Sequence, residues 1–362
     1  MPLEPQSNGT LAETIIRIPG DRLALSRRQA CGALAGLGYG FLTGEAQAQP
    51  VFRTDLLDKK RANARGRLDS QSSRSKRTDR RIEELIAKVD RARLAGMLDK
   101  LTSIPTRSTN SPHLLMARDW IKQQFLDFGY KPSRIEQVEL RLPNGTVAQN
   151  VICSPDRLDQ GFILIGAHYD CISESPAVIA PGADDNASGI VAMLEIARIF
   201  ASVDLKRSVM FAAFAGEEQG LFGSQAVADL AASERWAIDV MVNLDMVGHV
   251  DPARPTNIVV EYDQGNADPR NDAAAKAFGL RMAQLAADYT SMTVEHTDIW
   301  NSDYMPFEKK GFPCIGLYDG AADAAFYHTT QDKVSQVDMP RLAEVTALLC
   351  AFVATTAEFK TA

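Results

Sequence analysis

The chain has 362 residues, of which 45% are hydrophobic and 23% are charged, as in an ordinary globular protein. Its net charge is uneven, since residues 1–81 carry +7 (15 Lys and Arg against 8 Asp and Glu) and residues 82–362 carry −14. The acidic second part argues against nucleic acid as a partner. The five Cys form no CxxC pair, which excludes a disulfide scaffold and a zinc finger.

The first predicted element is a targeting segment, residues 1–48. Arg27 and Arg28 precede a Gly/Ala-rich apolar run over residues 30–42, which ends at the small-x-small pattern of residues 46–48. This run is shorter than the roughly 20 residues that span a bilayer. The pattern resembles a twin-arginine export signal, and the alternative is an unstructured start with a chance Arg pair. Export implies a periplasmic or extracellular protein with no integral membrane segment after signal cleavage.

The next segment, residues 49–83, is basic and poor in large apolar side chains. This composition predicts a flexible linker, with a basic binding patch as the alternative. From about Ile82 apolar residues return at a spacing of three to four, which predicts a helix, and a second amphipathic helix fits Leu114 to Phe128. We therefore place one folded domain at residues 84–362.

Beyond residue 150, short apolar runs alternate with helical patterns. The predicted strands are NVICS, FILIGAHYD, SVMFAAFAGEE, AIDVMVNLDMVG, NIVVEYD and FPCIGLYDG. The predicted helices begin near Ser188, span Ala273 to Ala287 and span Met339 to Glu358. Alternation of this kind predicts an α/β fold, a three-layer α/β/α sandwich around a mostly parallel, mixed central sheet.

Side chains that bind metals follow several of the predicted strands. They are His168 and Asp170, Glu217 and Glu218, Asp245 and, after a loop, His328. The stretch GADDNASG, with Asp184 and Asp185, opens a helix. In open α/β sheets the working site lies beyond the carboxyl ends of the strands. One such residue is usually a surface or capping group, but several at successive strand ends predict a metal site.

Zinc chemistry accounts for these residue types. Zinc binds His nitrogen and carboxylate oxygen, and a catalytic site keeps one position for water. Two metals about 3.5–4 Å apart can share one carboxylate, so five ligands suffice for a pair. Glu217 and Glu218 are adjacent, and neighbours on an extended backbone point opposite ways. One of them can therefore bind metal while the other acts as a general base.

Five motifs carry a family resemblance. GAHYD, GADDNASG, GEEQGLFGS, NLDMVG and FYHTTQD, in this order, resemble the signature set of the co-catalytic di-zinc aminopeptidases, clan MH metallopeptidases that include secreted bacterial and fungal leucyl aminopeptidases. The resemblance covers about residues 84–358, and KLTSIPTRS and NSDYMPFEKKGFP also resemble family segments. It implies a metal-dependent exopeptidase that removes the N-terminal residue from peptides, using a hydroxide bound by two zinc ions.

The resemblance also implies a role for each motif residue. His168 and Asp245 would hold one zinc, Glu218 and His328 the other, and Asp185 would bridge the two, with Asp184 as the alternative bridge. Glu217 would be the general base, Asp170 would orient His168, and Tyr327 would stabilise the oxyanion or merely pack beside His328.

Other residues have weaker assignments. Met246, Trp300, Tyr304, Phe307 and Phe326 either line a substrate pocket or pack in the core. Asn186 and Ser188 fit helix caps, and Cys171 fits a small buried group better than a ligand. We expect His113, His249 and His296 to be surface or structural, with His249 the nearest to substrate.

The same residues are compatible with other functions. A carboxypeptidase or dipeptidase on the same scaffold is the nearest, followed by a glutaminyl cyclase and a non-catalytic binding protein. The chain has no GxSxG and no HExxH, the motifs of serine hydrolases and zincins.

Overall fold

The computed structural model describes residues 66–67, 78–321 and 324–360. The predicted signal and much of the predicted linker lie outside the described residues. The linker segment nevertheless contributes strand β1 (Gly66–Arg67) and the start of helix α1 (Arg80–Ile86). Ile82 and Leu85 are buried in the core, so the helix is anchored before the boundary predicted at residue 84.

The remaining elements follow in chain order. The helices are α2 (Arg91–Thr102), α3 (His113–Asp127), α4 (Gly189–Phe200), α5 (Phe222–Glu234), α6 (Asp272–Tyr289), α7 (Met305–Glu308) and α8 (Met339–Ala357). The strands are β2 (Ile135–Arg141), β3 (Val147–Cys153), β4 (Phe162–His168), β5 (Ser208–Phe214), β6 (Ile238–Leu244), β7 (Asn257–Tyr262), β8 (Thr293–Thr297) and β9 (Cys314–Tyr318). The predicted helices and strands all have counterparts here, although the helical pattern that begins near Ile82 is divided between α1 and α2. The elements β1, β2, β8, α5 and α7 were not predicted.

The described strands form one sheet in the order β1-β8-β7-β9-β6-β4-β5-β3-β2. The central strands β5, β4, β6 and β9 are parallel to one another, and each end of this group pairs antiparallel with the next strand, β5 with β3 and β9 with β7. The predicted mixed sheet is thus confirmed. Because the four central strands run the same way, their carboxyl ends lie at one edge of the sheet.

Strand β4 separates the two apolar layers of the core. Ile163 and Ile165 pack in one cluster with residues of α2, α3, α4 and α8. Phe162 and Leu164, at the alternate positions, pack in a second cluster with residues of α5 and α7. Side chains alternate between the faces of a strand, so helices cover both faces of the sheet. The predicted three-layer α/β/α sandwich is confirmed.

Among the described residues, only α8 is long and apolar enough to cross a bilayer. Most of this helix is buried inside the fold, including Leu348, Leu349, Phe352 and Val353. Core helices of globular proteins meet the same length and composition test, and α8 packs as one of them.

The four cysteines that the structure describes are free and buried: Cys153, Cys171, Cys314 and Cys350. Burial raises the pKa of each thiol, to about 12 for Cys153 and Cys350. They are therefore neutral apolar-like side chains in the core. Cys31 lies outside the described residues.

Candidate metal centre

His168, the last residue of β4, lies at the middle of the predicted site. Its Nε2 atom is 3.3 Å from Oδ1 of Asp185 and 3.3 Å from Oδ1 of Asp245. Asp245 directly follows β6, the parallel neighbour of β4. The ends of β4 and β6, together with the turn that carries Asp185, thus bring together one imidazole and two carboxylates, as the sequence predicts.

A second imidazole lies on the other side of Asp185. Nε2 of His328 is 2.9 Å from Oδ2 of Asp185 and 3.2 Å from Oε2 of Glu218. Asp185 therefore presents one carboxylate oxygen to each of the two His rings. Asp184 points elsewhere, because its Oδ1 accepts a 2.9 Å hydrogen bond from the Gly248 amide.

The loop that carries Asp185 is held by a carboxylate from the last part of the chain. Asp332 accepts hydrogen bonds from the backbone amides of Asp184 (2.9 Å) and Asp185 (3.0 Å). Gly182 begins this turn with φ +52°, and a Cβ atom there would lie 2.5 Å from the Asp185 carbonyl oxygen. Only glycine fits this position without displacing the loop.

Asn186 and Ser188 were both predicted to cap helix α4. Asn186 does so, since its Oδ1 accepts from the Gly189 amide at 3.0 Å, while its Nδ2 donates to the Leu244 carbonyl. Ser188 does not cap the helix. Its hydroxyl donates to the Asp184 carbonyl and accepts from the Val247 amide, because the buried turn and the β6 end offer these partners.

Asp170 supports two parts of the centre at once. Its carboxylate accepts from the amides of Glu217 (3.3 Å) and Glu218 (3.4 Å). Its closer contact to His168 is through its backbone carbonyl, 3.1 Å from Nδ1, whereas its Oδ1 is 3.8 Å away. When the ring proton is on Nδ1, Nε2 of His168 has a lone pair on the side of Asp185 and Asp245. A metal ion binds imidazole through such a lone pair.

The centre strongly favours positive charge. Burial lowers the pKa of His168, but the carboxylates of Glu217, Asp185 and Asp245 outweigh it and raise the pKa well above its ordinary value. Burial also lowers the pKa of His328, but the carboxylates of Glu218 and Asp185 have the larger combined effect and raise this pKa to about 9. Burial raises the pKa of Glu217 well above its usual range, with Glu218 and Asp245 adding to the effect. Protons or metal cations can supply this charge.

The donor atoms are close enough to share metal ions. Three sets have ligand atoms all within 4.8 Å of one another: His168, Asp185 and Asp245; His168, Glu217 and Glu218; and Asp185, Glu218 and His328. Imidazole nitrogen and carboxylate oxygen are the ligands of catalytic zinc. The residues present therefore fit zinc, and the sets share members as two neighbouring ions require.

Ser302 and Arg107 also lie near the centre, and neither was predicted to have a role there. Ser302 donates a 2.6 Å hydrogen bond to Oδ2 of Asp245 and accepts one from Asn243. Arg107 is fully buried and donates to backbone carbonyls that include those of Pro181 and Gly182. Both lie in segments that resemble the family, NSDYMPFEKKGFP and KLTSIPTRS, which is the only signal the sequence offers for them.

The predicted substrate residues divide into two groups. Tyr327 stacks on the His328 ring with centroids 3.9 Å apart and is half-buried beside the centre. Met246 is buried and packs with Phe326 in a small apolar cluster next to the same loop. Tyr304 and Phe307 belong to the core, which agrees with the packing alternative.

The remaining polar candidates have structural partners. Nδ1 of His249 lies 3.0 Å from the Gln336 carbonyl, and His296 packs against Tyr262. The Cys171 thiol donates to the Ala180 carbonyl, and burial raises its pKa to about 11, so it is a poor metal ligand. The Glu174 carboxylate accepts hydrogen bonds from the amide and the hydroxyl of Thr330.

The family model that matches this chain and several of its relatives are described as peptidases. The sequence model of the family described as "Peptidase family M28" matches residues 150–353. A "Probable zinc metalloprotease" of Pyrenophora tritici-repentis is 31% identical over 299 residues, covering 69% of this chain and 68% of the relative. "Leucine aminopeptidase 1" of Metarhizium robertsii is 26% identical, covering 75% and 71%. The chain spans 44–68% of the length of four fungal relatives described as probable zinc metalloproteases.

Solved structures share the fold. LapB from Legionella pneumophila superposes with a TM-score of 0.67 at 24% identity, covering 86% of this chain and 83% of that one. A glutaminyl cyclase from Bacteroides thetaiotaomicron superposes with a TM-score of 0.60 at 19% identity, covering 73% and 97%. On the family match and the 31% identical relative, the chain belongs to the zinc-dependent peptidase family M28.

Proposed function

We propose that the protein is a di-zinc aminopeptidase that removes the N-terminal residue from peptides. The observation that carries this proposal is the position of Asp185, whose two oxygens face His168 and His328 at 3.3 and 2.9 Å. Each of these imidazoles also faces a second carboxylate, Asp245 or Glu218. This is the donor set of two metal sites that share one carboxylate.

In this proposal His168 and Asp245 would hold one zinc ion, Glu218 and His328 would hold the other, and Asp185 would be a ligand of both. Zinc bound there would polarise the scissile carbonyl and make a water molecule more acidic. One part played by the protein is to keep Nε2 of His168 unprotonated towards the metal. The Asp170 carbonyl at Nδ1 of His168 serves that purpose.

Glu217 is the proposed general base. It directly precedes the ligand Glu218, is 5% exposed, and shares one set of close donor atoms with His168. Its raised pKa, caused first by burial, suits a carboxylate that takes a proton from water and passes it to the leaving amine. Tyr327, stacked on His328, is the proposed donor to the oxyanion, and Met246, in the apolar cluster with Phe326, is the proposed contact for the substrate side chain.

The preference for an N-terminal residue is supported by relatives described as leucine aminopeptidases. A carboxypeptidase or dipeptidase is the nearest alternative on the same centre. A glutaminyl cyclase is a second one, since such an enzyme shares the fold. The complete set of five candidate ligands favours the two-metal peptidase over a cyclase or a non-catalytic protein.

One experiment separates these possibilities. The purified protein would be assayed on a leucyl chromogenic amide, on the N-acetylated peptide, and on a glutaminyl peptide, before and after chelation and zinc return. We expect cleavage of the free amino substrate alone, loss on chelation, and recovery with two zinc ions per chain. Cleavage of the acetylated peptide would indicate a carboxypeptidase, and full activity after exhaustive metal removal would refute a metallopeptidase.

We further propose that the chain is exported through a pathway that recognises Arg27 and Arg28. The support is the sequence pattern of residues 26–48. Fractionation of cells expressing the full chain, with Arg27→Lys/Arg28→Lys as the comparison, tests this. Retention of the double variant is expected, and unchanged export of it would refute the twin-arginine assignment.

A further inference from the structure

Four consecutive apolar residues are exposed in the segment between β4 and the turn that carries Asp185. They are Pro176, Ala177, Val178 and Ile179, which we call the apolar turn. Val178 is 72% exposed, the highest value among the exposed large apolar side chains that the structure describes, and Ile179 is 41% exposed. A run of exposed apolar residues is uncommon on the surface of a folded domain unless it contacts something.

Hydrogen bonds fix the conformation of the apolar turn. The amides of Val178 and Ile179 donate to the Ser175 carbonyl at 2.9 and 3.0 Å, as in one turn of a helix. The Ser173 hydroxyl donates to the Ile179 carbonyl at 2.6 Å and accepts from the Ser175 amide at 2.9 Å. Side chains on a fixed backbone lose less conformational freedom on binding than those of a flexible loop, so the turn is preorganised for contact.

The segment that carries the apolar turn is joined to the loop of the proposed ligand His328. Glu174, two residues before the turn, accepts hydrogen bonds from the Thr330 amide at 2.8 Å and from the Thr330 hydroxyl at 2.7 Å. Thr330 lies two positions after His328 in the chain. The side chains of His328 and Asp245 are each 15% exposed, whereas that of His168 is 1% exposed. The centre is therefore accessible along His328 and Asp245.

The apolar turn is also joined to the loop of the proposed ligand Glu218. The Thr106 hydroxyl donates to the carbonyl of Pro176, the first residue of the turn, at 2.8 Å. Three residues further along the chain, the Thr109 hydroxyl donates to Oε1 of Gln219 at 2.7 Å, and Gln219 directly follows Glu218. Hydrogen bonds thus connect the turn to the loops of two proposed ligands of the same zinc ion.

A peptide substrate of an aminopeptidase has no residue before the one that is removed. Any contact outside the pocket of that residue is therefore made with the part of the peptide that follows the scissile bond. This part must leave the buried centre through its accessible side. The second to fourth residues of an extended peptide span about 10 Å, enough to pass the loops that border the centre.

We propose that Val178 and Ile179 contact apolar side chains at the second to fourth positions of the peptide substrate. The enzyme would then prefer peptides that are apolar after their N-terminal residue, because such contacts remove Val178 from water. Glu174, the one charged residue in segment 171–181, is occupied by Thr330, so the turn presents an uncharged surface. The inference rests on the proposed aminopeptidase function and specifies the substrate preference of the same site.

The test measures initial rates of leucine release by the full-length, zinc-loaded protein from three substrates. They are leucine followed by three valines, leucine followed by three serines, and a leucyl chromogenic amide, which has no further residues to reach the turn. Val178→Ser and Ile179→Ser should each raise KM for the valine peptide about 5-fold with kcat unchanged, because they remove binding that the ground state and the transition state share. The KM values for the other two substrates should change by less than about 2-fold.

Val147→Ser is the matched control, since Val147 on β3 is also 41% exposed, and it should keep the parent's KM for all three substrates. A parent-like KM of both turn variants for the valine peptide would refute the substrate contact and leave the aminopeptidase assignment intact. Failure of the parent to release leucine from any of the substrates would refute the proposed function and this inference with it. Elution of the parent as a dimer and of the turn variants as monomers in size-exclusion chromatography would assign the turn to a contact between copies and overturn the proposal.

Discussion

Ser302 donates a 2.6 Å hydrogen bond to Oδ2 of Asp245, the carboxylate whose Oδ1 lies 3.3 Å from Nε2 of His168. The hydroxyl is itself oriented by a 2.8 Å hydrogen bond from Asn243. One oxygen of Asp245 is therefore occupied by the protein, which leaves the other for a metal.

Ser302→Ala should weaken zinc binding by about 10-fold or more, the usual effect of removing a group that orients a ligand. Without the hydroxyl, Asp245 can rotate away from His168. Competition with a chromogenic chelator would measure the zinc affinity. Ser233→Ala, which removes an exposed hydroxyl bonded to the Leu230 carbonyl, is the control. Equal zinc affinity of Ser302→Ala and the parent would show that Asp245 needs no such support.

Glu217→Gln should retain both zinc ions and lower turnover about 10²–10⁴-fold, because the amide cannot accept a proton. Metal analysis and the rate of leucyl amide hydrolysis would be measured on the same sample. Glu174→Gln is a suitable control, since Glu174 is an exposed carboxylate that accepts a hydrogen bond from the Thr330 hydroxyl. Unchanged turnover in Glu217→Gln would remove this residue from the reaction, and loss of zinc would make it a ligand.

Arg107→Lys should destabilise the protein by about 2 kcal/mol or more. The fully buried guanidinium donates to the carbonyls of Tyr169, Pro181 and Gly182, and one ammonium cannot reach all three. Urea unfolding of the zinc-free protein would measure the change. The exposed Arg93→Lys should leave stability within about 0.5 kcal/mol. Unchanged stability of Arg107→Lys would contradict a stabilising role for these hydrogen bonds.

Two glycines should respond to alanine with opposite signs. Gly96 lies inside α2, and a Cβ atom added there would have no neighbouring atom within 4 Å, so Gly96→Ala should stabilise by about 0.5–1 kcal/mol. At Gly223 the added Cβ would lie 2.2 Å from the Ala215 carbonyl oxygen, so Gly223→Ala should destabilise. Thermal unfolding of both variants tests the packing of α5 against the end of β5. A stable Gly223→Ala would show that this contact can open.

Glu136 on β2 should make stability depend on pH. Burial, with repulsion from Glu234, raises its pKa from 4.5 to about 7. A carboxyl with a raised folded-state pKa gives stability that is complete below pH 4.5 and lost as pH rises through 7. Glu136→Gln should therefore be more stable than the parent at pH 8 and lose this advantage at pH 4.5. A constant difference across this range would contradict the raised pKa.

The sequence predicted the central sheet because its strands are apolar at nearly every position. All seven residues of β4 are buried, and such a run has few alternatives to a central strand. β2 was missed because its burial alternates, with polar residues such as Gln137 and Glu139 facing solvent. An edge strand of this kind resembles a polar loop in the absence of its partner β3.

The candidate ligands could be predicted because each is the first polar residue after a buried strand or part of a motif. Ser302 and Arg107 act through hydrogen bonds to residues 57 and 75 positions away. Arg107 binds backbone carbonyls, which every residue possesses, so no side-chain pattern marks its partners. Such contacts follow from how the segments pack and not from local spacing.

The hydrogen bonds from the Asp184 and Asp185 amides to Asp332 join the middle of the chain to its last part. The candidate ligands extend from His168 to His328, so a ribosome must release nearly the whole chain before they can meet. A nascent or C-terminally clipped chain would hold only part of the donor set. The zinc content of a preparation should therefore measure the fraction of molecules that are complete and folded.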